Sequence, residues 1–173
     1  MAASRDVVLA VATEILGPVL SDLGYRGGRG SWKRGAGPTP DRVKLQLSPW
    51  NGVRPTSEFV VNISSGPSYS GNQPTGRFSC VLGLADLERM RQLRNEVTAK
   101  ALAMSPTSRM ELDGEPYRQG QDVWMNYVDE DDLRRWMTLT AELLPDAIER
   151  THEQIAAMVE QLAKEGHFPT TLG

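Results

Sequence analysis

The chain has 173 residues, of which 39% are apolar, and this is enough for one domain to bury a core without disulfides or a metal ion. Its 19 basic and 22 acidic side chains give a formal net charge of -3. This balance argues against general nucleic-acid binding, which depends on a basic surface, but it is compatible with a local basic patch.

The N-terminal apolar run over residues 7 to 12 is bounded by charged residues and is too short for a signal sequence or a membrane span. The single Cys80 has no partner for a disulfide within the chain, which indicates a reducing compartment. We therefore expect a cytoplasmic protein with no membrane segment, folded as one domain over residues 1 to 173.

Apolar residues recur at spacings of three and four from Ser4 to Leu23, which predicts a helix with Ser4 as its N-cap. The expected buried stripe consists of Val8, Val11, Ile15, Val19 and Leu23. Pro18 lacks a backbone donor, so we expect a kink or restart of the helix there. Gly24 is expected to end the helix in the left-handed conformation.

Residues 24 to 76 contain 16 of the 27 Gly and Pro residues, a pattern typical of short strands joined by turns. Strict alternation predicts strands over residues 42 to 48 and 58 to 63, and residues 31 to 34 predict a shorter one. The side chains expected to face the core are Val43, Leu45, Leu47, Phe59, Val61 and Ile63. The three strands predict an antiparallel meander, followed by an exposed, mobile loop over residues 64 to 76.

The second half of the chain predicts helices with one further strand between them. Residues 84 to 104 are predicted to form the first helix of this half, with Asp86 as its cap. Its apolar stripe consists of Leu87, Met90, Leu93, Val97 and Met104. Residues 123 to 128 have strand composition and predict a fourth strand. The acidic run at 129 to 132 predicts the capped start of a helix that ends near Leu144.

Pro145 is expected to open a separate last helix, which ends at Gly166. The buried seam of this helix is predicted to contain Ile148, Ile155, Val159 and Leu162. The same seam, together with His152, also fits the contact of a homodimer. Two heptads do not separate a dimer contact from packing within the chain, so both interpretations stay open.

Two motifs have a structural and a functional interpretation. The run from Gly24 to Gly30 resembles an arginine-glycine RNA-binding tract, but its place between a helix and a strand favours a glycine-rich connection. The acidic run at 129 to 132 favours helix capping over metal binding, and one Cys with two distant His leaves few further ligands. We therefore expect neither a metal ion nor a cofactor.

Catalytic residues are not indicated by any spacing in the sequence. No serine lies in the Gly-x-Ser-x-Gly frame of a hydrolase. Acid-base chemistry by two carboxylates, with Glu58, Glu111 and Asp113 as the candidates, stays open because these groups can meet in space. Trp50 follows a proline and precedes Asn-Gly, so this ring is either a binding anchor exposed on a turn or a group folded back onto the sheet.

Four segments carry a resemblance to a known family. They are Val19 to Tyr25, the residues Gly30, Trp32 and Arg34, the strand Val43 to Ser48, and the strand Phe59 to Ile63. Together they resemble the bacterial domain of unknown function 4304 family, well over residues 5 to 65 and loosely beyond. The loops at 35 to 40 and after Ile63 depart from that family.

This resemblance implies a sheet covered by helices, without implying an activity. It also implies that a shared site would involve the matching polar residues Gln46, Ser48 and Asn62. The alternative interpretation of these side chains is hydrogen bonding between neighbouring strands.

The sequence thus predicts an α+β two-layer fold, in which helices cover one face of an antiparallel sheet of three to four strands. The candidate binding residues are Arg34, Lys44, Gln46, Ser48, Trp50 and Asn62. The leading hypothesis is a non-catalytic binding or regulatory module that contacts a protein partner. The alternative is a small, hydrolase-like enzyme with its site on the polar sheet face.

Overall fold

The computed structural model describes residues 3 to 69 and 71 to 167, in which three helices pack with one antiparallel sheet. The elements in chain order are α1 (Arg5–Asp22), β1 (Arg26–Gly28), β2 (Ser31–Arg34), β3 (Asp41–Leu47), β4 (Ser57–Ser64), β5 (Thr75–Arg77), α2 (Leu84–Met104), β6 (Met125–Tyr127) and α3 (Glu130–Lys164). A short 3-10 helix, Phe78–Val81, follows β5 directly.

The sheet is a meander of β1, β2, β3 and β4, and the far edge of β4 is shared by two short strands. β5 pairs with the end of β4 from Asn62 to Ser64, whereas β6 pairs with its beginning from Ser57 to Phe59. The predicted α+β fold with helices packed on an antiparallel sheet is confirmed. The sheet has six strands rather than the predicted three or four. The sequence did not indicate β1 and β5, because each has only three residues and shows no alternation.

The core-facing side chains of β3 and β4 were predicted correctly. Val43 lies opposite Ile63, and Leu45 lies opposite Val61. All four are buried, as is Phe59, whereas Leu47 is half-buried at the end of β3. Removal of this apolar face from water is a main driving force for packing α1 and α3 against the sheet.

α1 begins as predicted, with the backbone N–H of Val7 donating to Ser4 Oγ at 3.4 Å. Beyond Val11 the buried stripe differs from the prediction. It follows Ala12, Leu16 and Leu20, whereas Ile15, Val19 and Leu23 are only half-buried. The sequence carries two adjacent apolar stripes, and contact with the rest of the fold selects between them.

α1 also continues through Pro18, so the alternative of a restart at that residue is wrong. Pro18 is exposed, which leaves room for its ring on the solvent side. The predicted end of the helix is confirmed, because Gly24 has φ +84° and its N–H donates to the carbonyl of Ser21 at 3.0 Å.

α3 is a single helix of 35 residues, so the predicted break at Pro145 is wrong. Leu144, Ala147 and Ile148 are all buried on one stripe across the proline. Continuous burial on this stripe outweighs the one backbone hydrogen bond that Pro145 cannot donate. The predicted acidic start is confirmed, with Asp129 as the N-cap.

α2 has the predicted bounds, but its N-cap is Gly83 and not Asp86, which lies in the first turn. Met104 is 64% exposed, and Ala101 occupies its expected place in the buried stripe. The helix packs against β6. None of the three described helices has an apolar stretch long enough to span a membrane.

The segment from 65 to 74 is packed against its surroundings rather than fully exposed. Tyr69 and Asn72 form an isolated β-bridge, and Gln73 Nε2 donates to the carbonyls of Pro40 at 3.0 Å and Gly66 at 3.2 Å. Ser70 lies outside the described residues. The predicted mobility of this loop stays a prediction.

Candidate functional site

One face of the sheet carries the polar side chains of β2, β3, β4 and β5, pointing away from the apolar core. Lys33 lies directly opposite Arg42, and Lys44 lies opposite Asn62. Asn62 in turn lies opposite Arg77 of β5. The residues of this surface, which we call the open basic face, are Lys33, Arg42, Lys44, Gln46, Asn62 and Arg77.

Three cations of the open basic face have no partner within the described part of the chain. Lys33 and Lys44 are exposed, and Arg42 is half-buried, with an Nε that forms no hydrogen bond. No acidic side chain among the described residues pairs with any of the three. Like charges directly opposite each other on a sheet are destabilising, so Lys33 and Arg42 repel each other without compensation.

The rest of the open basic face is a hydrogen-bonded network around Arg77. Asn62 Nδ2 donates to Gln46 Oε1 at 3.0 Å, and Arg77 Nη1 donates to Gln46 Oε1 at 3.1 Å and to Asn62 Oδ1 at 2.9 Å. The Arg77 guanidinium also lies 5.4 Å from the ring centroid of Trp124 and 3.5 Å from the Asp122 carboxylate. The network fixes the two amides and one cation in place.

The structure therefore brings together three of the predicted site residues, Lys44, Gln46 and Asn62. It also shows that the cross-strand interpretation of the two amides is correct, since they bond to each other. No pattern in the sequence indicated Arg77, which falls next to the segment predicted as a loop. A strand at this position becomes visible only from its pairing with β4.

Ser48 and Trp50 lie at the turn that follows β3. Ser48 is buried, and its Oγ accepts a hydrogen bond from the backbone N–H of Trp50 at 3.3 Å. Trp50 is 56% exposed, and the Arg54 guanidinium lies 5.9 Å from the centroid of its ring. Ser48 thus shapes the turn, while the Trp50 ring stays accessible as a candidate anchor.

Arg34 lies on the opposite, helix-covered face of the sheet, paired across strands with Asp41. Its Nη2 donates to Asp41 Oδ2 at 3.0 Å and lies 3.3 Å from His152 Nδ1, and its guanidinium lies 4.7 Å from the Tyr25 ring centroid. Burial lowers the pKa of His152, Asp41 opposes that shift and Arg34 adds to it. Burial raises the pKa of Tyr25 to about 12. Arg34 is therefore separated by the sheet from Lys44, Gln46 and Asn62.

A second polar cluster lies at the β6 end of the polar face, where α2 covers the sheet. Arg94 Nε donates to Asp113 Oδ2 at 3.1 Å, its Nη2 lies 3.4 Å from Glu58 Oε1, and its Nη1 donates to the carbonyl of Trp124. The Tyr117 hydroxyl donates to Asp113, and burial together with this bond raises the pKa of Tyr117. We call these residues the Arg94 cluster.

The Arg94 cluster lines a cleft of about 210 Å³, and a neighbouring cleft of about 360 Å³ also includes Glu111. Two of the carboxylates that the sequence left open for acid-base chemistry, Glu58 and Asp113, do meet here. Both are paired with the same Arg94 guanidinium, at 3.4 Å for Glu58 and 3.1 Å for Asp113. This arrangement is that of a structural ion-pair network.

Metal ligands and nucleophiles are sparse in the described part of the chain. No three His, Cys, Asp or Glu side chains there are grouped so as to hold a metal ion. The acidic run instead binds a lysine, since Lys100 Nζ donates to Asp129 and to Asp132. Cys80 is half-buried, and burial raises the pKa of its thiol, which lowers the fraction of reactive thiolate.

Comparisons of the chain with protein-family models, with curated proteins and with solved structures gave no match. The resemblance to the domain of unknown function 4304 family therefore stays a prediction. Evidence about function comes instead from the geometry and charge of the sheet face.

Proposed function

We propose that the chain is a non-catalytic, cytoplasmic binding module whose open basic face takes an anionic macromolecular partner. The observation that carries this proposal is the group of three cations without a partner, Lys33, Arg42 and Lys44. Elsewhere in the described chain, half-buried cations such as Arg34, Arg91 and Arg94 are paired with acids. An anion bound to this face would supply the missing counter-charge.

The rigid surroundings of these cations also support a binding surface. β3 is a central strand, paired on both edges, and the Gln46–Asn62–Arg77 network lies beside Lys44. Sites built on strands hold their side chains more precisely than sites on loops. The partner would therefore meet charges whose backbone positions are fixed before binding, which lowers the entropic cost of association.

The alternative of a small, hydrolase-like enzyme has less support. Gln46 and Asn62 are occupied by their bonds to each other and to Arg77. The carboxylates near this face are also engaged, because Asp122 is paired with Arg77, and Glu58 and Asp113 are paired with Arg94. A general acid or base needs a proton-exchanging group that is free to reach a substrate.

Self-association through the last part of α3 also stays a proposal. Ile148 and Ile155 of the predicted seam are buried within the chain, whereas Val159 and Leu162 are half-buried and Met158 is 44% exposed. Only the end of the seam therefore remains for a second copy. Light scattering that shows a monomer at all protein concentrations would remove this proposal.

Heparin, a polyanion that is neither protein nor nucleic acid, provides the first test of the proposed function. We expect the wild type to bind a heparin column at low ionic strength, and the double variant Arg42→Glu/Lys44→Glu to pass through it. The matched control is Arg109→Glu/Arg118→Glu, which changes the net charge equally at two exposed residues of the segment between α2 and β6. Equal loss of retention in both variants would contradict a specific surface.

A further inference from the structure

The open basic face lacks the groups on which protein partners usually anchor. The large apolar side chains that are exposed in the described chain all lie outside its strands, at Trp50, Val53, Tyr69, Leu84, Met104, Leu112 and Met158. Protein interfaces draw most of their affinity from buried aromatic and apolar anchors, whereas nucleic-acid interfaces are polar and strongly positive. The chemistry of this face therefore fits phosphates better than it fits a protein surface.

The layout of the cations describes a short strip across the sheet. The strip extends over three strand spacings, about 14 Å, from β2 to β5, with Lys33 level with Arg42 and Arg77 level with Lys44. Arg42 and Lys44 are about 7 Å apart along β3. A strip of this size accommodates the backbone of a few nucleotides. It is too small to follow a duplex over a helical turn.

Groups that interact with unpaired bases lie beside these cations. Asn62 lies between Lys44 and Arg77 across the sheet, Gln46 lies two residues after Lys44 on β3, and the half-buried Trp124 ring is adjacent to Arg77. Within the network the Gln46 Nε2 group has no partner among the described residues and can donate to a base edge, and both tryptophan rings and guanidinium groups can stack on base faces. Base edges and faces are available in this way in a single strand, whereas pairing and stacking hide them in a duplex.

We propose that the anionic partner of the open basic face is single-stranded nucleic acid, held mainly through its phosphates. This inference rests on the proposed function, because it names the class of the anion. The formal net charge of -3 is a sum over the whole chain, and ten of the acidic side chains lie in residues 129 to 173, mostly on α3. α3 packs on the other side of the sheet, so these charges do not cover the open basic face.

Fluorescence anisotropy with a fluorescein-labelled 12-nucleotide oligo(U) tests this inference. Phosphate contacts by the three unpaired cations, Lys33, Arg42 and Lys44, predict a slope of about -2 for log K against log salt, and thus an affinity that falls about 20-fold between 50 and 200 mM salt. Arg42→Glu/Lys44→Glu is expected to weaken binding at least 10-fold and to reduce the slope by about 1.4. Arg109→Glu/Arg118→Glu is expected to bind much like the wild type.

The variant Arg42→Gln/Lys44→Gln removes the two positive charges without introducing negative ones, so it is less prone to misfold than the Glu variant. Circular dichroism measures whether each variant is folded. A 12-residue poly-glutamate peptide and a 12-base-pair RNA duplex serve as the competing anions. Tighter binding of the peptide or the duplex than of oligo(U), abolished by the same variants, would overturn the nucleic-acid inference while the proposed function stands. If none of the three anions distinguishes the open-face variants from the control, both proposals fail.

Discussion

The two ends of the polar sheet face differ in whether their cations are paired with acids. At the β6 end, the Arg94 guanidinium is 25% exposed and bonded to Glu58, Asp113 and a backbone carbonyl. At the other end, Lys33, Arg42 and Lys44 have no acidic partner within the described chain. The difference separates charges that hold the fold together from charges that are available to a partner. A charged residue on this face is therefore informative about function only when its counter-charge is known.

The largest effect is expected at the covered end of the face. Arg94→Met should lower the free energy of unfolding by about 2–3 kcal/mol, because it leaves the largely buried Glu58 carboxylate with only the more distant Arg54, at 3.9 Å, and leaves the Trp124 carbonyl without its donor. Urea denaturation monitored by tryptophan fluorescence measures this change. The control Arg109→Met, at an exposed cation that has no side-chain partner among the described residues, should stay within about 0.5 kcal/mol of the wild type.

An equal stability for Arg94→Met and Arg109→Met would break the comparison. The Arg94 cluster would then be a surface cluster with no structural role, and its cleft would become the stronger candidate for a functional site.

A smaller effect is expected at His152, on the helix-covered face. Burial lowers the folded-state pKa of His152 below its ordinary value of 6.5, so the unfolded chain binds a proton more readily. The stability that depends on the neutral ring is present above pH 6.5 and is lost as the pH falls below it. Urea midpoints measured from pH 7.5 to 5.5 should therefore decrease with falling pH in the wild type.

His152→Gln should remove most of this decrease, while the control His167→Gln, at a ring that is 49% exposed, should keep it. An unchanged pH dependence in His152→Gln would show that another group titrates. Loss of the pH dependence in His152→Gln would sharpen the comparison between the regions of the molecule, because it would identify His152 as a polar group whose protonation destabilises the fold.

The smallest effect is expected at the open end of the face. Lys33→Glu replaces a like-charged pair with an opposite pair across from Arg42, so it should raise the free energy of unfolding by up to about 0.5 kcal/mol. The same substitution should weaken heparin binding. A gain in stability together with a loss of binding is typical of residues retained for function. A loss of stability would indicate that Lys33 has a structural partner after all.

The alternation of β3 and β4 was visible in the sequence because a half-buried strand needs one apolar residue at every second position. It placed Lys44, Gln46 and Asn62 on one face correctly. β1 and β5 could not be found in this way, since three residues cannot show a period. Their place in the sheet depends on pairing with neighbouring strands, which no local pattern reveals.

The continuity of α3 was missed for a related reason. The local rule that a proline breaks a helix is correct for an isolated segment. In the folded chain, Leu144 and Ala147 on either side of Pro145 are both completely buried, and this tertiary packing overrides the local rule. The missing counter-charges of Arg42 and Lys44 are likewise a property of the assembled sheet. Composition alone shows acids in excess of bases.

Mapping a polyanion on the folded chain tests the central claim most directly. In an amide NMR spectrum of the 15N-labelled protein titrated with a heparin hexasaccharide, we expect the largest shifts in residues 31 to 34, 41 to 47 and 75 to 77. Residues of α3 and of the Arg94 cluster should change little. Shifts centred on Arg94, or on the surface of α3, would contradict the assignment of the open basic face as the binding surface.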